Sequence, residues 1–299
     1  MEDSLSEATP HFLDIGTQLR RNPLSPMRYP GGKGILGDYF VNLLNQLPHI
    51  DTYIEPFAGG AGTACAVLLN TQVKKVVIND LDIAVYSFWE AVKSDPDRLC
   101  HEIHNAELSV SKWREHQKRY KELYASGVPS FELGFSFFYL NRTSRSGLVS
   151  GGVIGGLKQS GKYKIDARFN RNTLVSRIER LSRESARLSI SNYDAIDLLK
   201  QSSGQDKSLF YLDPPYVVQG PKLYLSRYDT AKHRSLSDAL IDLRHLYWAL
   251  SYDNEPEIIA LYSAFRRASF ALGYSANRRY QGNEVMFFST GLEKELLHR

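Results

Sequence analysis

The chain has 299 residues, 42% of them hydrophobic and 23% charged, with a formal net charge of +4. That length suits one large α/β domain, or a catalytic domain with a smaller insertion, and it buries roughly 75% of the unfolded surface without staples. Only two cysteines, no CxxC pair, no apolar run of the ~18 residues a membrane span needs and no signal-peptide pattern at the start argue against a disulfide framework, a zinc site and export, and place the chain in the cytoplasm.

Residues 1–25 mix Pro, Ser and acidic residues without apolar periodicity and read as a flexible leader. A turn-rich loop over 27–34 runs into a helix carrying Ile35, Tyr39, Val41, Leu43, Leu44 and Leu47, which stops near Pro48. Residues 52–57 form a short strand, followed by a glycine turn over 58–62 and an Ala- and Leu-rich helix over 63–69. A second strand of buried type spans 75–80, and the next helix carries Ala84, Val85, Phe88, Trp89 and Val92. That alternation opens a doubly wound parallel sheet.

From about 95 to 185 the character changes. Two charged helical stretches flank an aromatic run at 131–140, and a Gly/Ser/Arg/Lys-rich segment over 141–172 has the composition of loops or hairpins. Residues 111–185 hold 15 Lys and Arg against 6 Asp and Glu, whereas the rest holds 22 against 27. Such a basic segment is a polyanion-binding face or, equally on charge alone, a solvated helical surface of Lys112, Arg114, Lys118, Arg119 and Lys121. The sheet pattern then resumes with a strand over 188–194, a short helix over 196–200 and a buried strand over 209–212. The last third alternates a helix over 238–246 with strand-like runs at 245–252 and 285–289.

Three places carry chemistry. Asp213-Pro214-Pro215-Tyr216 stands at the carboxyl end of a strand, the edge where open α/β sheets bind ligands. Its prolines stiffen the backbone and present carbonyls, Asp213 and a neighbouring carbonyl make two acceptors for an amino group, and the Tyr216 ring offers a stacking surface. The plainer reading is a strand-ending turn with its tyrosine on the core. Glu55 to Gly62 is a glycine turn that lets the backbone approach a ligand closely, or simply a tight turn. Asp80 closes the second strand where an acidic residue accepts bonds from ribose hydroxyls, unless it caps the next helix, a role open to Asp82 as well.

In that order and spacing these pieces resemble the Dam-like, or D12 class, N6-adenine-specific DNA methyltransferases. Tyr29-Pro30-Gly31-Gly32-Lys33 is similar to that family's N-terminal box, Glu55–Gly62 to its EPFxGxG loop, and Asn79-Asp80-Leu81 to the end of its second strand. Asn192-Tyr193-Asp194 resembles its third motif, Asn141–Leu148 its NRxxxxGL segment, and Asp213–Tyr216 its DPPY. Two positions depart from the pattern: Ala61 stands where the loop's second glycine is expected, and Arg145 where relatives can carry an aromatic residue.

The resemblance implies a Rossmann-like α/β fold with a mostly parallel seven-stranded sheet, built from residues 26–94 and 186–299, with 95–185 as an inserted target-recognition subdomain. It implies S-adenosyl-L-methionine as cofactor, held by Tyr29, Lys33, Phe57, Gly59, Asp80, Asp194 and Asp213. Asp213, Pro214, Pro215 and Tyr216 would act on an adenine flipped out of double-stranded DNA, with Arg142, Arg145, Lys158, Lys162 and Lys164 on the DNA. No metal is implied, and His101 and His104 read as helix-surface residues. Such an enzyme can partner a cognate restriction endonuclease, act alone in its host or belong to a phage. Two rivals remain: a transferase acting on RNA adenine or cytosine N4, and a catalytically silent DNA-binding protein on the same scaffold.

Overall fold

The structure is a computed structural model that describes residues 10–19, 23–28, 33–202, 204, 206–215, 230–274 and 280–298. Seven strands, β1 (Thr52–Glu55), β2 (Lys75–Asn79), β3 (Leu188–Ser191), β4 (Ser208–Leu212), β5 (Tyr247–Asp253), β6 (Arg266–Tyr274) and β7 (Tyr280–Phe288), form one sheet in the order β3-β2-β1-β4-β5-β7-β6. The first five run parallel, and β7 is antiparallel to both β5 and β6. The chain lays down β1, β2 and β3 in one direction and then returns to place β4 beside β1, so a crevice opens between the carboxyl ends of β1 and β4.

Both faces of the sheet are covered, which is why its central strands read as unbroken apolar runs. Successive residues point to opposite faces: Tyr53, Val76, Ile78, Leu209 and Tyr211 join one core, and Ile54, Val77, Phe210 and Leu212 the other. The first core takes α1 (Gly37–Asn45), α2 (Gly62–Asn70) and α3 (Ile83–Ser94). The second takes α8 (Ala195–Gln201), α9 (Thr230–Asp242) and α10 (Pro256–Leu261), and α11 (Thr290–Leu297) follows β7. Among the described residues no helix is long and apolar enough to cross a membrane.

Between α3 and β3 lie α4 (Pro96–Asn105), α5 (Val110–Ala125), α6 (Phe131–Thr143) and α7 (Arg171–Ser182). The aromatic run is the buried helix α6, and Phe138 stacks on Phe88 of α3 at 5.0 Å between centroids. A Cβ at Gly134 would stand 2.6 Å from the Ser87 carbonyl carbon, so the backbones of α6 and α3 meet where only glycine fits. Residues 95–185 therefore share the sheet's core instead of building their own. His101 and His104 are exposed on α4.

The leader needs correcting over its described part. Phe12 and Ile15 are buried in the core, the Phe12 ring meets Phe288 edge-on at 5.3 Å, and Tyr39 donates its hydroxyl to the Phe12 carbonyl. Leu24 and Ser25 are buried too. These few apolar side chains are too short a run to show periodicity, yet burying each one contributes about 1.5–3 kcal/mol.

Candidate active site

The loops that follow β1, β2 and β3 are tied together at one sheet edge by Asn79. Its amide donates to the carbonyls of Pro56 and Tyr193, and its carbonyl accepts from Ser191 Oγ and the Tyr193 N–H. In the glycine turn Gly59 and Ala61 both have positive φ, +46° and +45°. Glycine bears that freely, whereas Ala61 holds a conformation that its Cβ opposes. The turn it shapes aims the Gly59 N–H at Asp80 Oδ2, 2.8 Å away. Asp80 Oδ1 accepts from the Asp82 N–H at 2.9 Å. Asp82, not Asp80, caps α3, accepting from the Ala84 and Val85 N–H groups. Burial, then the charge of Asp82, pushes the Asp80 carboxyl up to about 7 against the pull of those two N–H donors. Phe57 is half-buried in the same turn, and Asp194 caps α8 through the Ile196 N–H. Leu81 and Tyr193 stand exposed beside these carboxylates as an apolar rim.

Across the crevice, Asp213 leaves the end of β4. Its Oδ1 accepts from Ser251 Oγ of β5 at 2.7 Å and lies 3.5 Å from Lys33 Nζ. Tyr211 shares its hydroxyl with the same Ser251 at 2.9 Å. Lys33 opens a 3-10 turn before α1 and is buried; Thr63 of α2 donates to its carbonyl, and a Cβ at Gly62 would stand 2.7 Å from the Gly34 Cα, so the two backbones meet there. Burial raises the Asp213 carboxyl most, Lys33 opposes it, and the balance stands at about 6. Lys33 also meets Glu284 of β7 at 2.9 Å. Pro214 is buried and Pro215 half-buried. Tyr29 and Tyr216 lie outside the described residues.

A glycine turn, a strand-end aspartate and a lysine-contacted Asp-Pro-Pro thus converge on one crevice. The sequence pattern of the D12 class N6 adenine-specific DNA methyltransferases matches residues 29–272. The chain belongs to that family. It is similar to the Type II methyltransferase M.MjaIII of Methanocaldococcus jannaschii, 26% identical over 204 residues that cover 64% of this chain and 68% of the relative. It is also similar to a DNA adenine methylase of Vibrio cholerae serotype O1, 26% identical over 199 residues covering 64% of either chain. The matched stretch thus spans about two thirds of these relatives. As a D12 class enzyme the chain is an adenine-specific DNA methyltransferase, and its sheet has the seven-stranded, mostly parallel form of that fold.

The family's NRxxxxGL segment closes α6 and turns back on itself. Asn141 accepts from the Arg28 N–H and donates to the Gly147 carbonyl, which clasps the segment to the chain just before the N-terminal box. Arg145 is exposed, its N–H donates to the Gly152 carbonyl, and its guanidinium lies over Gly152, where a Cβ would push it aside. Lys158 and Lys162 are exposed, and Lys164, exposed as well, donates to the Gln159 carbonyl. Arg142 differs: its Nε is buried and bonds to no described residue. Burial, then the nearby Arg28, Arg177 and Arg168, pushes its guanidinium down to about 9. Sequence reasoning missed Ser251 and Glu284 as site residues, since each sits inside a strand and reads as part of it, and it quoted Asn79 only as part of a motif, without the role of tying the three loops.

Proposed function

We propose that the chain transfers the methyl group of S-adenosyl-L-methionine to N6 of an adenine flipped out of double-stranded DNA at a specific sequence. The observation that carries the reading is Asp213, held at the switch point by Ser251 and facing Lys33 across the crevice from the glycine turn.

The donors and acceptors suit the cofactor. Asp80 is fixed by two backbone N–H groups and keeps further lone pairs for ribose hydroxyls; Lys33 supplies an ammonium for a carboxylate; Leu81 and Tyr193 offer an apolar edge beside Asp194 for an adenine ring. The bound cofactor supplies an electrophilic methyl on a sulfonium. The residues supply the rest. Adenine N6 is a poor nucleophile because its lone pair is delocalised into the ring. Asp213 and the Pro214 carbonyl accept its two N–H bonds and draw it toward tetrahedral geometry, and the Tyr216 ring stacks on the base. Positive charge grows on N6 during transfer beside the Asp213 carboxylate, which takes the departing proton. Flipping the base costs a few kcal/mol of unstacking.

Residues 95–185 serve target recognition in this reading. Arg142, Lys158, Lys162 and Lys164 meet phosphates, and Arg145 acts locally at a base edge or in the gap left by the adenine. Four arginines, 28, 142, 168 and 177, gathered with no ion pair to a carboxylate among the described residues, support an anion at that face. A restriction endonuclease of the same specificity is one partner open to this role, in the cytoplasm. Aspartate rather than serine at the head of DPPY favours adenine over cytosine. Nucleoside mass spectrometry of plasmid DNA and of RNA, each incubated with labelled cofactor, tests the reading. N6-methyladenine in the plasmid is expected; N4-methylcytosine, or label in RNA alone, would overturn it.

A further inference from the structure

Glu284 stands opposite Asp253 in the β5–β7 pairing, and its side chain is 2% exposed. Its Oε2 is 2.9 Å from Lys33 Nζ, whereas Asp213 Oδ1 is 3.5 Å from the same ammonium. One buried ammonium is thus shared unequally by two carboxylates, and the shorter contact goes to the one outside DPPY. The contacts of Asp213 with Ser251 and Lys33 both fall on Oδ1, and Oδ2 takes no bond from a described residue. Without the Glu284 charge, attraction in this low-dielectric site would draw Lys33 onto Asp213 in a short charge-assisted bond. A carboxylate locked in that way is a poorer acceptor for an amino group.

We propose that Glu284 is a positioning residue of the transferase: it holds Lys33 back from Asp213, so that the Asp213 carboxylate keeps its acceptor strength for the target amino group. This rests on the functional reading above. Among the described residues, the groups that act on Asp213 are Lys33 from the turn before α1, Ser251 from β5, Glu284 from β7, Tyr211 from β4 and Glu55 from β1, while Asp253 of β5 acts on Lys33 and Glu284. Burial raises the Asp213 carboxyl, Lys33 lowers it, Glu284 raises it, and the Ser251 bond lowers it. Glu284→Gln removes an anion and releases a cation toward Asp213. Both changes move the carboxyl downward, and only the approach of Lys33 weakens its acceptance of the amino group, which kcat reads.

The test follows the Asp213 carboxyl by 13C NMR against pH in the wild type, Glu284→Gln and Glu284→Asp, with the signal assigned through Asp213→Asn, alongside kcat on duplex DNA. The Gln variant should lower the Asp213 midpoint by about one unit and kcat at neutral pH on the order of tenfold. The Asp variant, one methylene shorter, should fall between Gln and wild type in both. A folded Gln variant with the wild-type midpoint, or with a lowered midpoint and the wild-type kcat, overturns the proposal. Should Gln fail to fold, an Asp variant with wild-type midpoint and kcat overturns it equally. The titration needs no substrate, so it judges Glu284 even where the wild type forms no N6-methyladenine, the result that removes the functional reading itself.

Discussion

Asp213 works as an acceptor only when ionised, and its carboxyl stands at about 6. Methylation should therefore rise with pH through an acidic limb centred near that value, read as kcat/KM for the free enzyme. A limb near the ordinary carboxylate value of 3.8 would show that burial does not govern Asp213. Glu55 behaves differently. Burial pushes it up to about 8, against the Tyr53 hydroxyl and the Ala64 N–H that bond to it. Between its ordinary 4.5 and about 8 the folded chain holds a proton that the unfolded chain has released. Stability from this group is therefore complete below 4.5 and is lost as pH rises through that window. Glu55→Gln, neutral throughout, should flatten the fall of Tm between pH 5 and 8 and leave the variant relatively more stable at pH 8. A wild-type Tm that rises across that range in step with the variant's would contradict the assignment.

Among the elements, β1, β2 and β4 were legible because strands buried on both faces are unbroken apolar runs closed by polar residues. β6 was not: it is an edge strand, its buried Ala268 and Phe270 alternate with exposed Arg267 and Ser269, and two leading arginines mask the alternation. Helix α6 was legible only as aromatic, because burial all round leaves no polar stripe to set a period. Its docking on α3 depends on Gly134. Gly134→Ala should cost about 1–3 kcal/mol, seen as a lower midpoint of urea unfolding with an unchanged slope. An unchanged midpoint would mean that the two helices part easily. At the site, the order of Lys33, Gly59, Asp80 and Asp213 along the chain was readable, since each ends or begins an element at a marked turn. Glu284 was not, because its partner Lys33 lies at the other end of the sequence and only the folded chain brings them together.

For the whole molecule, the basic surplus of residues 111–185 should make DNA affinity fall steeply with salt, log K dropping by ~0.9 for each phosphate neutralised. Lys158→Ala should weaken all duplexes alike and shallow that slope by about one. Arg145→Ala should reduce methylation of the cognate duplex or discrimination against single mismatches more than general affinity. Equal losses on every duplex, with a slope shallower by about one, would make Arg145 another phosphate contact. The central claim is that Asp213 acts on adenine N6, and it is tested most directly by Asp213→Ala at saturating cofactor. N6-methyladenine is counted by mass spectrometry in digested plasmid, and circular dichroism confirms the fold. The account predicts near-complete loss of methylation in a folded protein; substantial N6-methyladenine from the folded variant would contradict it.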